Sequence, residues 1–296
     1  MMSMKEGQFA ALVLGLISFN GVLCNCFVFV TIRRIPRMAN SFGRISAGIA
    51  AVEVVTLALF VLYFTPMVFF NIEVLKKESY YCGAFLLGCF QYNVYSHVLL
   101  SLNRFCAIYF PLYYGKIFTQ KATTIVIILM CLISVFPILF LYLLGSCRFE
   151  YFDDYWRFGF AYRETCRTIP FPTNVEAFGT STLIIAFLDF AAIYRVRVYN
   201  KEFGSCHLSK YWSSRRKHDE VNFLKQASSR ALLFAMGIIV YYFLPYYFTS
   251  RWVKFLFGPV NWVSVLTADG LITIIYSRDL RPAFKNQVSR APQTVF

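Results

Sequence analysis

The amino-acid sequence predicts an all-α fold: a bundle of seven transmembrane helices with the N-terminus outside the cell and the C-terminus in the cytoplasm. Of the 296 residues, 58% are hydrophobic and only 15% are charged, a balance too apolar for an ordinary soluble domain. A helix needs roughly 20 residues to cross a hydrocarbon core about 30 Å thick, and seven runs of about that length are present. Helices satisfy every backbone group inside lipid, and these runs lack the alternation of β-barrel strands.

Four of the runs carry no charged residue. They are Phe9–Ile32, Ser79–Asn103, Ala122–Cys147 and Ala231–Ser250. Each of the other three contains one acidic residue, and these are Glu53, Asp189 and Asp269. An ionised group inside a membrane is costly, so such residues are expected to be paired or neutralised. Asp189 lies only about 9 Å from the inner face by helical rise, where water reaches it, and we assign it no site role.

The predicted helices form one domain over residues 9–290, followed by the end of a short tail at 291–296. Their predicted ranges are 9–32, 45–72, 79–103, 122–145, 175–197, 228–250 and 255–277. Pro245 lies inside the sixth range and removes a backbone hydrogen bond there, which favours a kink. Pro245 is therefore a candidate hinge, with simple packing of a kinked helix as the alternative.

The distribution of basic residues predicts the orientation of the bundle. With the N-terminus outside, the cytoplasmic segments hold 20 of the 29 Lys and Arg residues and the outer segments hold 9. Cytoplasmic loops of membrane proteins carry such an excess. The formal net charge of +14 therefore lies mostly on the cytoplasmic face, where it attracts the anionic lipid of the bilayer. A cytoplasmic protein partner is a second reason for this charge, and nucleic acid is not indicated.

The third predicted helix ends in the motif NRFCAIYFPLYY at residues 103–114. The motif resembles, without a gap, the signature Asp-Arg-Tyr-x-Ala-Ile-x-x-Pro-Leu-x-Tyr of rhodopsin-like receptors. Asn103 and Phe105 replace the Asp and the Tyr of the signature, whereas Arg104 and Pro111 match it. The resemblance implies that these four residues form a G-protein-coupling switch.

Arg104 is the residue that would carry this switch. An arginine at the cytoplasmic mouth of a bundle can pair inside while the helices are closed and reach a partner when they part. Asn103 cannot hold Arg104 by a charge pair, so a weaker latch or a replacement acid from another helix is expected. An arginine that only extends to the membrane interface is the alternative.

Further segments extend the resemblance over nearly the whole chain. The resemblance to rhodopsin-like receptors extends to NCFV at 25–28, LP at 244–245 and DGLIT at 269–273. A resemblance to the nematode serpentine receptor class X family of chemoreceptors is carried by NSFGR at 40–44, YFTPM at 63–67, YSH at 95–97, residues 103–112 and DGLI at 269–272. The resemblance implies a plasma-membrane receptor, in the cilia of sensory neurons, that binds an unknown extracellular small molecule and activates a heterotrimeric G protein. Pro245 would then be an activation hinge.

A polar core is predicted from Asn25, Glu53 and Asp269, which lie at comparable depths in helices one, two and seven. The hypothesis is that this core rearranges on activation. Hydrogen bonding that only holds the helices together is the alternative. A Na⁺ ion in the core is the one cofactor that the resemblance allows.

Two further site predictions concern the outer half of the bundle. The resemblance implies a ligand pocket there, and its candidate residues are Gln91, Tyr92, Tyr246 and Trp262, with aromatic packing as the alternative. Three of the nine cysteines lie on the outer, oxidising side. We predict that Cys82 forms a disulfide with Cys166 or with Cys147.

Catalysis is not expected from this sequence. The histidines His97, His207 and His218 form no metal set with carboxylates along the chain, and no nucleophile elbow or phosphate loop is present. His97 is expected to be a hydrogen-bonding residue of the core, with a ligand or proton role as the alternative. The remaining alternative function is a ligand-gated channel or transporter, in which the three membrane acids would line a polar path.

Overall fold

The computed structural model describes residues 2–143, 147–161, 166, 170–203, 225–226, 229–241, 243–277 and 280. Within this part of the chain, seven helices are longer than ten residues. They are α1 (Met2–Arg34), α2 (Ser41–Phe69), α3 (Ser79–Tyr109), α4 (Gln120–Leu143), α5 (Pro170–Phe203), α6 (Ser229–Tyr241) and α7 (Arg251–Tyr276). Short helices at Glu73–Lys77 and Pro111–Ile117 precede α3 and α4 respectively.

Three of these helices are long and apolar enough to cross a membrane by length and composition: Glu6–Arg34 in α1, and α2 and α7 in full. A fourth span results if Pro111–Ile117 and Gln120–Phe136 are taken as one helix bent by 64°. Helices α3 and α5, with 31 and 34 residues, exceed the length that a bilayer requires. Among the described residues, the clear apolar spans are thus fewer than the seven predicted.

Prolines accompany irregular turns in two of these helices. A π-helical turn at Phe60–Phe64 precedes Pro66 in α2, and a second one at Leu256–Val260 contains Pro259 in α7. Proline cannot donate a backbone hydrogen bond, and such a gap is commonly accommodated by a π turn.

The sixth helix differs from its predicted range of 228–250. The described helix ends at Tyr241, a 3₁₀ turn follows at Leu244–Tyr247, and Phe248 is extended. Pro245 lies in that turn. The difference has a physical reason, because proline removes a donor and restricts the residue before it.

Helix α3 lies at the centre of the bundle, where it contacts α2, α4 and α5. Helix α1 packs along α2 and α7 on the opposite side. The largest apolar core lies towards the end of the bundle that carries the N-terminus, and its fully buried aromatic side chains include Phe60, Phe64 and Phe255. The polar residues described below lie at the other end of this core.

A β-hairpin covers the end of the bundle above the aromatic core. Its strands are β1 (Phe149–Phe152) and β2 (Arg157–Phe160), paired antiparallel with Phe149 opposite Phe160. Trp156, at the turn, is only 2% exposed, and the guanidinium of Arg251 lies 3.7 Å from its ring centroid. Cation–π contacts and aromatic burial of this kind hold a loop firmly on the helices beneath it.

Polar contacts add to this attachment. Lys76 donates to the carboxylate of Asp153 at 3.1 Å, and the hydroxyl of Tyr151 donates to the same carboxylate at 2.9 Å. Burial, together with the charge of Asp153, raises the pKa of Tyr151, so its hydroxyl stays protonated and keeps donating at physiological pH. The backbone of the hairpin also approaches α3 closely, since a Cβ on Gly83 would lie 1.8 Å from the carbonyl oxygen of Phe149.

The disulfide prediction is wrong in its partner. Cys147 is bonded to Cys166, with the Cα atoms 5.2 Å apart, and Cys82 is a free, buried thiol. The bond therefore closes the hairpin loop on itself instead of joining it to α3. Cys82 lies in the aromatic core below the hairpin, and the attachment of the loop to α3 is made by the donation of the Tyr151 amide to the Ser79 hydroxyl at 3.0 Å.

Candidate functional site

Two ion pairs are buried between helices in the half of the bundle away from the hairpin. The first joins Arg104 of α3 to Asp189 of α5, with 3.6 Å between Nη1 and Oδ1. The two side chains are 4% and 5% exposed. Asp189, to which the sequence alone gave no role, thus pairs with Arg104 from another helix, which is one of the two arrangements expected for an arginine without an acidic neighbour.

The neighbours of Arg104 have different tasks. Asn103 points towards the short helix after α3 and donates through Nδ2 to the hydroxyl of Tyr114 at 3.2 Å. Phe105 stacks on Tyr109, with ring centroids 4.4 Å apart, and Tyr109 donates to the carbonyl of Ala191 in α5 at 3.1 Å. The motif therefore fixes both the short helix and the α3–α5 contact, and Pro111 begins the short helix at a position where its missing donor costs nothing.

The second ion pair joins Arg230 of α6 to Asp269 of α7. The guanidinium donates through Nε and Nη2 to both carboxylate oxygens, which is the bidentate geometry typical of arginine and carboxylate. Asp269 was predicted from the sequence to be part of a polar core. Arg230 was not, because it was taken as a basic residue of a cytoplasmic loop. A signal was available, because Arg230 lies inside the predicted range 228–250.

A third group of polar side chains lies beside the second pair. One oxygen of Glu53, one nitrogen of His97 and one oxygen of Asp269 all lie within 4.8 Å of one another, and all three residues are buried. Asn93 donates to Oε1 of Glu53 at 3.3 Å. The structure thus unites two of the three predicted polar-core residues, Glu53 and Asp269, and adds His97.

The side chain of Asn25, the third predicted residue of the polar core, contacts the backbone of α7. Its Nδ2 donates to the carbonyl oxygens of Gly21 and Leu266, both at 3.2 Å. The contact is close because Gly270 has no side chain: a Cβ there would lie 2.6 Å from Oδ1 of Asn25. Gly270 thereby permits the α1–α7 approach.

Replacing Gly270 by alanine should lower the thermal stability of the protein. The added methyl group would displace Asn25, and overpacking of this kind costs about 1–3 kcal/mol. Gly179→Ala in α5 is the matched control, since nothing lies within 4 Å of a Cβ built there and alanine favours a helix. Melting temperatures of the purified protein in detergent would test this, and equal changes in the two variants would contradict it.

The candidate pocket residues are separated by the structure. Trp262 lies in an aromatic cluster beneath the hairpin, with ring centroids 5.5 Å from Phe60 and 5.6 Å from Phe90. Gln91 is buried beside Phe90 on α3. The hydroxyl of Tyr92 instead faces α2, where it would lie 2.7 Å from a Cβ added to Gly48. The side chain of Tyr246 lies outside the part of the structure that is described.

The buried charges dictate how the bundle is held together. Removing one partner of a buried ion pair leaves an uncompensated charge and costs about 3–5 kcal/mol. The pairs link α3 with α5 and α6 with α7, so a movement of α5 or α6 must break or exchange them. A small cavity lined by His97, Arg104, Asp189 and Arg230 lies between the two pairs and is large enough for about one water molecule.

Comparison with known proteins agrees with this architecture. A family model described as "Serpentine type 7TM GPCR chemoreceptor Srx" matches residues 16–277. Serpentine receptor class X 45 of Caenorhabditis elegans is 26% identical over 299 residues, covering 94% of this chain and 81% of that protein. Serpentine receptor class X-43 of the same organism is 22% identical over 203 residues, covering 69% and 64%.

The fold has a solved counterpart. The crystal structure of squid rhodopsin superposes with a TM-score of 0.77 at 15% identity, covering 97% of this chain and 86% of that one. The chain therefore shares the fold of that rhodopsin. The chain belongs to the Srx family of serpentine-type G-protein-coupled chemoreceptors, a family of membrane receptors and not of enzymes.

Proposed function

We propose that this receptor binds an extracellular small molecule and activates a heterotrimeric G protein through a rearrangement of its helices. The observation that carries the proposal is the buried pair of Arg104 and Asp189. Arg104 matches the arginine of the receptor signature, and it is held inside the bundle by an acid of a different helix. An arginine in this arrangement is stored in the closed state and becomes available when α3 and α5 part.

The orientation follows from charge. With the N-terminus outside, the basic loops face the cytoplasm, where Arg104 would meet the G protein. The β-hairpin then lies on the outer side, and its disulfide between Cys147 and Cys166 suits the oxidising environment there. The receptor would reside in the plasma membrane, and the family resemblance extends this to the cilia of sensory neurons.

The ligand would act on the aromatic cluster below the hairpin. Gln91 and Trp262 are its candidate polar contacts, because Oε1 of Gln91 and Nε1 of Trp262 are buried and make no hydrogen bond to any described residue. The proposed ligand contacts and the buried ion pairs lie on the same helices. Helix α3 carries both Gln91 and Arg104, and α7 carries both Trp262 and Asp269. A shift of either helix at the outer end would change the geometry of an ion pair at the inner end.

The polar core would respond in the same transition. Glu53 and Asp269 approach each other closely, so a cation between them would stabilise one of the two states. Na⁺ is the ion that the family resemblance suggests. Pro245, in the turn after α6, is the candidate hinge for an outward movement of that helix.

A cell-based screen would test the proposed function. Cells expressing the receptor are exposed to small volatile and water-soluble compounds, and second messengers and membrane current are recorded together. We expect a compound that changes a second messenger without a direct current. A current without a second-messenger change would favour a channel instead.

Arg104→Ala is the decisive variant in that assay. It should reach the cell surface, because Asp189 can take up a proton and become neutral once its partner is removed, but its response to the active compound should fall at least about tenfold. Surface expression is measured by an N-terminal tag, and Arg148→Ala in the outer loop is the control for loss of an arginine. An unchanged response of Arg104→Ala at equal surface expression would refute the role assigned to Arg104.

A further inference from the structure

Three residues with metal-ligating side chains converge at the centre of the bundle from three different helices. Glu53 of α2, His97 of α3 and Asp269 of α7 each direct one ligand atom to a common point, with all separations within 4.8 Å. These residues are far apart in the sequence, so the chain order gave no metal set. Only the packing of α2, α3 and α7 produces it.

A second observation indicates that the group is incomplete. Oε2 of Glu53 is buried, with the residue only 1% exposed, and it faces the carboxylate of Asp269 without accepting from an N–H or hydroxyl group of any described residue. A buried carboxylate oxygen without a partner is costly. Asn93 donates to the other oxygen of the same carboxylate at 3.3 Å and thereby orients it, as outer-shell residues do at metal sites.

We propose that Glu53, His97 and Asp269 form a binding site for a divalent transition metal ion of the zinc type. One imidazole nitrogen and two carboxylate oxygens are a donor set suited to zinc. Ions such as Na⁺ prefer oxygen ligands, so the imidazole of His97 should make this site prefer zinc over Na⁺. Zinc bonds of about 2.0–2.2 Å would require the three ligand atoms to close to roughly 3.5 Å, an inward movement of about 1 Å.

The metal must compete with Arg230 for Asp269. In the structure the guanidinium of Arg230 uses both oxygens of that carboxylate, so it occupies the place of a cation at the site. A metal bound to Asp269 would displace Arg230 from that carboxylate. Helix α6 would then lose its ionic contact with α7.

Binding of the metal stands independently of signalling, whereas its consequence for signalling rests on the proposed receptor function. Displacing Arg230 would release α6, so zinc would alter the balance between closed and open states. The cavity lined by His97 and Arg230 adjoins the metal ligands. It is large enough for about one water-sized particle, so it can hold the ion, and Arg230 must move away together with α6.

The test uses the full-length receptor purified in detergent, with His207→Ala and His218→Ala in every sample to remove other histidine sites. Zinc chloride is titrated calorimetrically. We expect one zinc ion per chain and only weak competition from sodium chloride at constant ionic strength, because Na⁺ would share the two carboxylates but would not bind His97. His97→Gln should weaken binding at least tenfold, Arg230→Gln should tighten it about tenfold, and Asp153→Asn, an acid outside the bundle, should leave it unchanged.

Cobalt provides a measurement on the receptor with its ligands unaltered. Co²⁺ bound by one nitrogen and carboxylate oxygens should produce visible absorption that zinc abolishes at one equivalent. Equal zinc affinities in the His97→Gln variant and its parent would overturn the proposal, as would the absence of a zinc-sensitive cobalt spectrum. An unchanged affinity in Arg230→Gln would overturn the competition. A failed screen for ligands would affect none of these results.

Discussion

Replacing Asp189 by asparagine is expected to raise the signalling of the receptor in the absence of ligand. Asparagine keeps the size of the side chain but removes the charge that holds Arg104 between α3 and α5. Leaving a buried arginine unpaired costs about 3–5 kcal/mol, and the cost is relieved when Arg104 reaches the cytoplasmic face. Since each 1.4 kcal/mol or so changes an equilibrium about tenfold, even part of this energy would populate the open state substantially.

The measurement is basal second-messenger level per receptor at the cell surface. Asp189→Glu preserves the charge and should remain close to the unmodified receptor. Asp153→Asn makes the same chemical change in the outer hairpin, where Asp153 pairs with Lys76, and should leave basal signalling unaltered. Basal signalling of Asp189→Asn equal to that of Asp189→Glu would show that the pair is structural and not a latch.

Breaking the pair between Arg230 and Asp269 is expected to have the largest effect on stability. Arg230→Gln leaves Asp269 beside Glu53, two acids in a buried site, while Asp269→Asn leaves Arg230 without its carboxylate. Each single variant should lose about 3–5 kcal/mol, whereas replacing both charges should be much less harmful. The doubly substituted receptor should therefore melt above either single variant.

Melting temperatures of the four receptors in detergent form a double-mutant cycle, which isolates the coupling between the two side chains. A matched double-mutant cycle uses Lys76→Gln and Asp153→Asn, a pair in which the acid is 58% exposed. The coupling free energy between Lys76 and Asp153 should stay below about 1 kcal/mol. If the losses at Arg230 and Asp269 simply add, the two residues do not act as one ion pair.

Interactions along one segment could be predicted from the sequence. Membrane helices could be predicted because length and apolarity are properties of a single run of residues. The motif around Arg104 was recognisable for the same reason, since its residues are neighbours on one helix. Since Asn103 carries no charge, the sequence also indicated either a weaker latch or an acid from another helix.

Interactions between helices were decided only by the tertiary structure. The pairing of Asp189 with Arg104 depends on which faces of α3 and α5 meet. The sequence alone gave Asp189 no role, because its estimated position near the inner face suggested contact with water. The pairing of Arg230 with Asp269, the convergence of His97 on two acids and the bonding of Cys147 to Cys166 are of the same kind. Packing of all the helices fixes these contacts together, so no single segment encodes them: the sequence by itself determined the helices and their charges, and the bundle determined which charges meet.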